Sequence, residues 1–294
     1  MKKRRRRPAL PVLSAIMSGR VIKPVMGRMI GKVRIVGPVM PAVSGYPHIR
    51  GTHPDRVIQK IMWAKSRGLR GLIVEINSPG GAVVSCREIA DAIKAAKMAT
   101  VAWVRDLGAS GAYWIASACK RIVADPCSTV GSIGVLSHHL EISELMKRYG
   151  VRYEGFKSGQ YKDMGIPFRK TTEKERGMIN EHLRSLHETF VNEIARNRGM
   201  DVSKVKRISK GQVFLGDEAK KIGLVDKTGG REEAVRQCEI VGNFKSLMVI
   251  EIEDFREELM FFLRGLLPGA PMSSGAELAR AVAETLRFPG YYAL

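Results

Sequence analysis

One hydroxyl stands out by its surroundings. Ser110 sits in "DLGASGAYW" (residues 106–114), with Gly108-Ala109 before it and Gly111-Ala112 after it. Small residues on both sides let another chain approach the side-chain oxygen, as a nucleophile requires, and they equally suit a tightly packed helix start. A serine attacks only when a base takes its proton. The histidines available are His48, His53, His138, His139, His182 and His187. His182 and His187 fall in a long helical pattern and read as solvated. His138 and His139 follow a predicted strand and can approach, but none of the histidines has a convincing carboxylate partner by local pattern. A triad assembles from distant segments, so local pattern does not decide the matter. Lysine is the other base, provided burial or a cationic neighbour favours its neutral form. "FKSGQYKDMG" (residues 156–165) supplies Lys157 and Lys162, and spacing alone does not select between them.

The elements that must position these groups alternate. "KVRIVGPV" (Lys32–Val39) reads as a strand closed by Gly37-Pro38. Pro54–Gly68 places Val57, Ile58, Ile61, Met62 and Ala64 at helical spacing. Leu72–Ile76 is a short apolar strand that runs into the turn "NSPGG" (residues 77–81). Residues 82–99 form the next helical pattern, with Ile89, Ala92, Ile93 and Ala96 on one face. "TVAWVRD" (residues 100–106) is a strand, "SGAYWIASAC" a short helix that opens on Ser110, and "KRIVADP" a strand again. Strands alternating with helices predict a parallel sheet with covering helices. In such sheets chemistry gathers at the carboxyl ends of the strands, where both "NSPGG" and Ser110 fall. Further on the spacing predicts a short helix at 142–150, a strand from Val151, and a long helix from Thr172 to Arg198 opened by a capping-box sequence. A short helix and strand within 211–230 and a helix at 231–241 follow, and residues 252–294 read as two further helices and a tail.

Composition bounds the partners. The 294 residues carry a formal charge of +20, and 45% of them are apolar, an ordinary globular value. Lys2–Arg7 ("KKRRRR") concentrates six positive charges, a sequence suited to an anionic membrane surface. No RNP, zinc-finger or helix-turn-helix signature accompanies the charge, so nucleic acid is not the expected partner. "PALPVLSAIMSG" after the basic run is too short for the roughly 20 apolar residues of a transmembrane helix and contains Pro8 and Pro11. Cys86, Cys119, Cys127 and Cys238 form no C-x-x-C pair, so neither zinc nor a disulfide framework is indicated. Unpaired thiols point to a reducing compartment, hence a cytoplasmic protein or one peripheral to the cytoplasmic membrane face.

Taken in order, several segments resemble the signal peptide peptidase family, the serine peptidases of family S49. These are "IVEINSPGG" (73–81), "GASGAYWIAS" (108–117), "GSIGV" (131–135), "KSGQYKDMG" (157–165) and "GQVFLGDEAKKIGLVD" (211–226). Each is weak alone; the ordered set over about residues 32–240 is specific. The resemblance implies an α/β fold of the Clp peptidase/crotonase type, with repeated β-β-α or β-α units on a parallel sheet. It makes Ser110 the nucleophile and Lys162 the general base. Ser132 becomes the hydroxyl that orients the lysine amine, and the N–H groups of Gly81 and Gly111 become oxyanion donors. Glycine suits that last role because it lacks the side chain that would block a carbonyl's approach. Where the family often has two glycines after the serine, this chain has Gly111-Ala112. The resemblance also implies apolar peptide substrates such as residual signal peptides, no cofactor, and a homo-oligomer in which neighbouring subunits share active sites. Residues 1–30 are then a basic, disordered tail, 31–245 the peptidase domain, and 246–294 a helical extension with no assigned role. Two other functions fit the same elements: an acyl-CoA hydratase or isomerase on this fold, and a non-catalytic protein that binds an anionic partner.

Overall fold

A computed structural model describes residues 28–41 and 51–252. The basic run Lys2–Arg7, His48 and the two helices expected within 252–294 lie outside the described residues, apart from Ile252.

The centre is a mostly parallel sheet. Strands β1 (Met29–Val36), β2 (Gly71–Ser78) and β3 (Ala99–Ala109) lie side by side, with β8 (Met248–Glu251) beyond β1. The long β3 pairs along its first half with β4 (Arg121–Ala124) and at its end with β5 (Thr129–Gly131). Strand β6 (Val213–Leu215) runs antiparallel to β5, and β7 (Lys227–Thr228) lies parallel to β4. Strand β2 is buried along nearly its whole length, as its run "GLIVEINS" requires of a strand covered on both faces.

Helices cover the two faces unequally. Helix α1 (Pro54–Ser66) starts with Pro54 in its first turn, and its apolar side, Val57, Ile61 and Ala64, is buried. Helix α2 (Val83–Ala96) buries Ile89, Ala90 and Ile93 and ends at Lys97 in the left-handed conformation. These two helices, the short α3 (Gly111–Ser117) and the middle of α5 (Glu173–Arg198) share one large core with Leu72, Val74 and Ile76. On the other face Ile30, Ile73, Ala99, Val101 and Val123 pack against Ala234 and Cys238 of α8 (Arg231–Gly242), which follows the short helices α6 (Val202–Arg207) and α7 (Gly216–Ile222). Past α8 that face is charged. Glu75, 3% exposed, pairs with Lys32 at 3.0 Å and Arg105 at 3.2 Å. Burial alone would raise the Glu75 carboxyl; Lys32, Arg105 and Arg34 outweigh it and hold the group below its ordinary value.

The fold is the α/β class expected, with local differences. Strand β1 begins at Met29, inside the expected tail, and ends at Val36, because its parallel pairing with β2 stops at Asn77. Val39 instead bridges both Thr52 and Gly81. Strand β3 runs to Ala109 rather than ending at Asp106, extended by its pairing with β5. No strand forms after Val151; residues 151–157 find no sheet edge. Met248–Glu251, expected in a helical extension, is a strand: "MVIE" pairs in parallel with Met29–Lys32, where its β-branched residues suit the sheet. Among the described residues no helix is long and apolar enough to cross a membrane.

Candidate active site

Ser110 sits where β3 ends and α3 begins. Its backbone, at φ 54° and ψ −127°, is a conformation that side-chain-bearing residues rarely adopt. The surroundings hold it there. The Ser110 N–H donates to the Gly131 carbonyl at 2.8 Å, and the Ser110 carbonyl accepts from the N–H groups of Tyr113 and Trp114 at 2.9 and 3.1 Å. Every residue of α3 is buried. Trp114 stacks on Phe190 of α5 with ring centroids 4.7 Å apart, and the Tyr113 hydroxyl donates to the Leu224 carbonyl at 2.8 Å. The strain is thus carried by packing, while the Ser110 hydroxyl makes no capping bond and is left for other chemistry.

The Pro79-Gly80-Gly81 turn closes on this serine. Gly80 has φ 89°, and a Cβ there would lie 2.5 Å from the Gly111 nitrogen and 3.1 Å from Ser110 Cβ. A Cβ on Gly81 would overlap the Val39 carbonyl. Val39 fixes the turn by donating to the Gly80 carbonyl at 2.8 Å and accepting from the Ala82 N–H at 2.9 Å. The Gly81 nitrogen lies 3.5 Å from where a Gly111 Cβ would stand. Neither the Gly81 N–H nor the Gly111 N–H donates to any acceptor among the described residues. Two unspent backbone donors therefore neighbour each other beside a strained serine, the arrangement an oxyanion site needs. The Cys86 thiol packs against Gly111, where a Cβ would meet it, but burial pushes the thiol up to about 12, leaving it a neutral packing group.

Ser132 reaches the same place from β5. Ala109 pairs with Gly131, so Ser110 and Ser132 follow the carboxyl ends of adjacent parallel strands. Ser132 has φ 49°, and its N–H donates to the Gln212 carbonyl at 2.8 Å.

Lys162 is elsewhere in its attachments. After the buried Ile133 the chain leaves the sheet for a segment whose side chains are largely exposed. This segment includes α4 (Ser143–Arg148), which buries no residue. Lys162 is exposed in a turn closed by its N–H donating to the Gly159 carbonyl at 3.1 Å. Among the described residues its amine has no hydrogen-bond or ion-pair partner, and nothing joins it to Ser110 or Ser132. The other lysine of "FKSGQYKDMG", Lys157, is occupied by Asp163 at 2.6 Å. The structure thus brings Ser110, Gly81, Gly111 and Ser132 together and leaves Lys162 apart within one chain. The described histidines are not bonded to Ser110 either. His139 Nε2 meets Thr171 Oγ1 at 3.0 Å and His187 Nε2 meets the Ser209 carbonyl at 2.7 Å. Among the described residues no group of His, Cys, Asp or Glu side chains converges to hold a metal ion.

Sequence reasoning missed two supports. Asn77 donates to Asp106 at 2.8 Å and accepts from the Leu107 N–H at 3.1 Å, at the point where the β2–β3 register shifts. It aims the end of β3, and so Ser110. Val39 was legible only as a strand residue, yet it holds the glycine turn. An Asn directly before "SPGG" was the available signal for the first; nothing local marks the second.

Comparison with known proteins places the chain in a family. A protein of Methanocaldococcus jannaschii, provisionally named a protease, is 34% identical over 189 residues, covering 64% of this chain and 61% of its own. A protein of Enterococcus faecium, provisionally named signal peptide peptidase SppA, is 34% identical over 205 residues, covering 69% of this chain and 60% of its own. The chain thus spans about three-fifths of the length of these curated relatives. A solved ClpP1 mutant from Listeria monocytogenes aligns with 76% of this chain and 98% of its own at TM-score 0.47 and 14% identity. The family model for peptidase family S49 matches residues 92–244, more than half of the 294 residues, and this stretch contains Ser110, Ser132 and Lys162. The chain belongs to peptidase family S49.

Proposed function

We propose that this protein is a serine endopeptidase in which Ser110 is the nucleophile and Lys162 the general base. The observation that carries the reading is the Ser110 turn, where a strained serine lies beside the unspent N–H groups of Gly81 and Gly111. The neutral Lys162 amine accepts the Ser110 hydroxyl proton as Oγ attacks a peptide carbonyl carbon. The carbonyl π electrons move to oxygen, and the Gly81 and Gly111 N–H groups hold the resulting oxyanion. Collapse of the tetrahedral intermediate breaks the C–N bond, and the lysine ammonium gives its proton to the leaving amine. Water then attacks the acyl-serine by the same route, with Lys162 again as base, and releases Ser110. Ser132 accepts a hydrogen bond from the lysine ammonium and donates one to the neutral amine, fixing its direction.

The separate attachment of Lys162 supports a shared site, with the lysine of one subunit serving the serine of its neighbour in a homo-oligomer. The segment that carries it exposes Leu136, Leu140, Tyr149 and Phe156, at 74, 78, 77 and 90%. Apolar side chains so exposed on one stretch suit burial against another copy. The name of the Enterococcus faecium relative supports apolar peptides, such as residual signal peptides, as substrates. Residues 31–245 form the catalytic unit in this reading, and the basic run Lys2–Arg7 is its contact with an anionic membrane surface at the cytoplasmic face.

The test uses the full chain with a fluorogenic peptide of apolar side chains and a fluorophosphonate label. Ser110→Ala abolishes both cleavage and labelling, and Lys162→Ala abolishes cleavage. Cleavage should rise toward alkaline pH, because an amine acts as a base only after losing its proton. A flat profile between about pH 6 and 9 would remove lysine from the mechanism. A wild-type protein that resists the label but processes an acyl-CoA would make it a hydratase or isomerase of the same fold.

A further inference from the structure

Lys162 is exposed and its amine unpartnered among the described residues, yet the residues on both sides of it are tied down. On one side, Asp163 is gripped by Arg169. The Arg169 Nε donates to Asp163 Oδ2 at 3.0 Å and Nη2 donates to Oδ1 at 2.8 Å, while Lys157 donates to the same Oδ1 at 2.6 Å. Arg169 also donates to both carboxylate oxygens of Glu175. Glu175 is buried in the first turn of α5, where it forms a capping box with Thr172. On the other side, the Lys174 ammonium of that same turn lies 5.5 Å from the centre of the Tyr161 ring. Further along, α5 carries Phe190, the ring stacked on Trp114 behind Ser110. One helix therefore anchors the lysine turn at its first turn and backs the serine turn at its middle.

We infer that Arg169, through Asp163 and Glu175 and with Lys174 on Tyr161, is the positioning device that presents the Lys162 amine to the serine site. The inference rests on the serine–lysine reading above. Two effects follow from the geometry. The clamp fixes the turn's direction against α5, which an exposed four-carbon side chain cannot do for itself. It also occupies both oxygens of Asp163, which would otherwise be free to pair with the adjacent Lys162 ammonium and hold it charged. The charged groups on the turn itself are Lys157, Asp163 and Arg169; those that α5 brings to it are Lys174 and Glu175, while Glu173 pairs with Arg176 on the helix itself. Lys170 beside it is paired with Glu144 of α4 at 2.8 Å.

The experiment measures kcat, KM and the pH–rate profile of the full chain on the fluorogenic apolar peptide, for Arg169→Gln, Asp163→Asn and Lys174→Ala, beside Lys162→Ala. Arg169→Gln should lower kcat about tenfold or more with little change in KM, and its rate profile should move to higher pH. Asp163→Asn should also lower kcat, but its profile should move the other way, because it removes the competing carboxylate and leaves the cations. A purely structural role would give no opposite shifts. Lys174→Ala, on the exposed side, is the mild variant if the others fail to fold, and should lower kcat about two- to fivefold. If Lys162→Ala is inactive while these variants keep wild-type kcat and profile, the clamp is overturned and the dyad stands. If Lys162→Ala remains active, the dyad itself is overturned, and the clamp with it.

Discussion

The two turns that carry the proposed chemistry are built in opposite ways. The Ser110 turn is fixed by backbone hydrogen bonds, three parallel strands and a buried helix, with Trp114 at 2% and Tyr113 at 0% exposure behind it. Among the described residues the Lys162 turn joins no hydrophobic core and is held by ion pairs, a cation–π contact and the capping of α5. Nucleophile and oxyanion donors must keep their mutual geometry to within a fraction of an ångström, and close packing supplies that stiffness. A base that comes from a neighbouring subunit needs instead to reach outward, and polar contacts can orient it while leaving it accessible.

The widest gap between the two turns should appear in rate and stability together. Ser110→Ala and Lys162→Ala should each lower kcat/KM about a thousandfold or more with thermal unfolding little changed, read by peptide cleavage and calorimetry. Next in size, Trp114→Ala or Phe190→Ala should destabilise the protein by about 3–5 kcal/mol in urea unfolding, because a stacked buried aromatic leaves a cavity. No truncation of an apolar or aromatic side chain in the Lys162 turn should approach that. Gly80→Ala forces a methyl toward the Gly111 nitrogen at positive φ, and should cost about 1–3 kcal/mol and most of the turnover. If Gly80→Ala is fully active, the glycine turn is not the oxyanion frame.

A smaller effect tests the charged sheet face. Because the Glu75 carboxyl is held below its ordinary value, its contribution is present at neutral pH and disappears as pH falls through that depressed value. Glu75→Gln should therefore be less stable than wild type at pH 7, with the difference closing at acid pH in paired unfolding curves. The smallest expected change in stability is that of Phe156→Ser, within about 0.5 kcal/mol, since the ring is 90% exposed. The same variant should reduce the assembly's mass in light scattering; an unchanged mass would separate the apolar segment from oligomerisation.

Much of this was legible before any coordinates. The apolar run Leu72–Ile76, the helical spacing of Pro54–Gly68 and the capping box at Thr172 follow from side-chain period and capping chemistry, and each forms the element expected. The strand expected at Val151 does not form, because a strand needs an edge to pair with and periodicity carries no information about one. Met248–Glu251 shows the converse, a strand within the expected helical extension 246–294, formed because the edge of β1 is there to pair with. At the candidate site, the small neighbours of Ser110 suit packing as well as chemistry, and Ser110 and the glycine turn are selected by the ordered motifs that resemble one family. The roles of Asn77 and Val39 could not be picked out, because they exist only where β1, β2 and β3 meet.

What the sequence determined by itself is the alternation of elements, the small-residue setting of Ser110 and the ordered motifs of one peptidase family. These are local properties, set by the types of adjacent side chains. Tertiary structure alone decided that the Gly81 and Gly111 N–H groups meet beside the serine, that Lys157 is occupied by Asp163, and that the Lys162 turn is pinned to α5 from both sides. Those facts depend on strand register and on contacts between segments many residues apart, which no local pattern encodes.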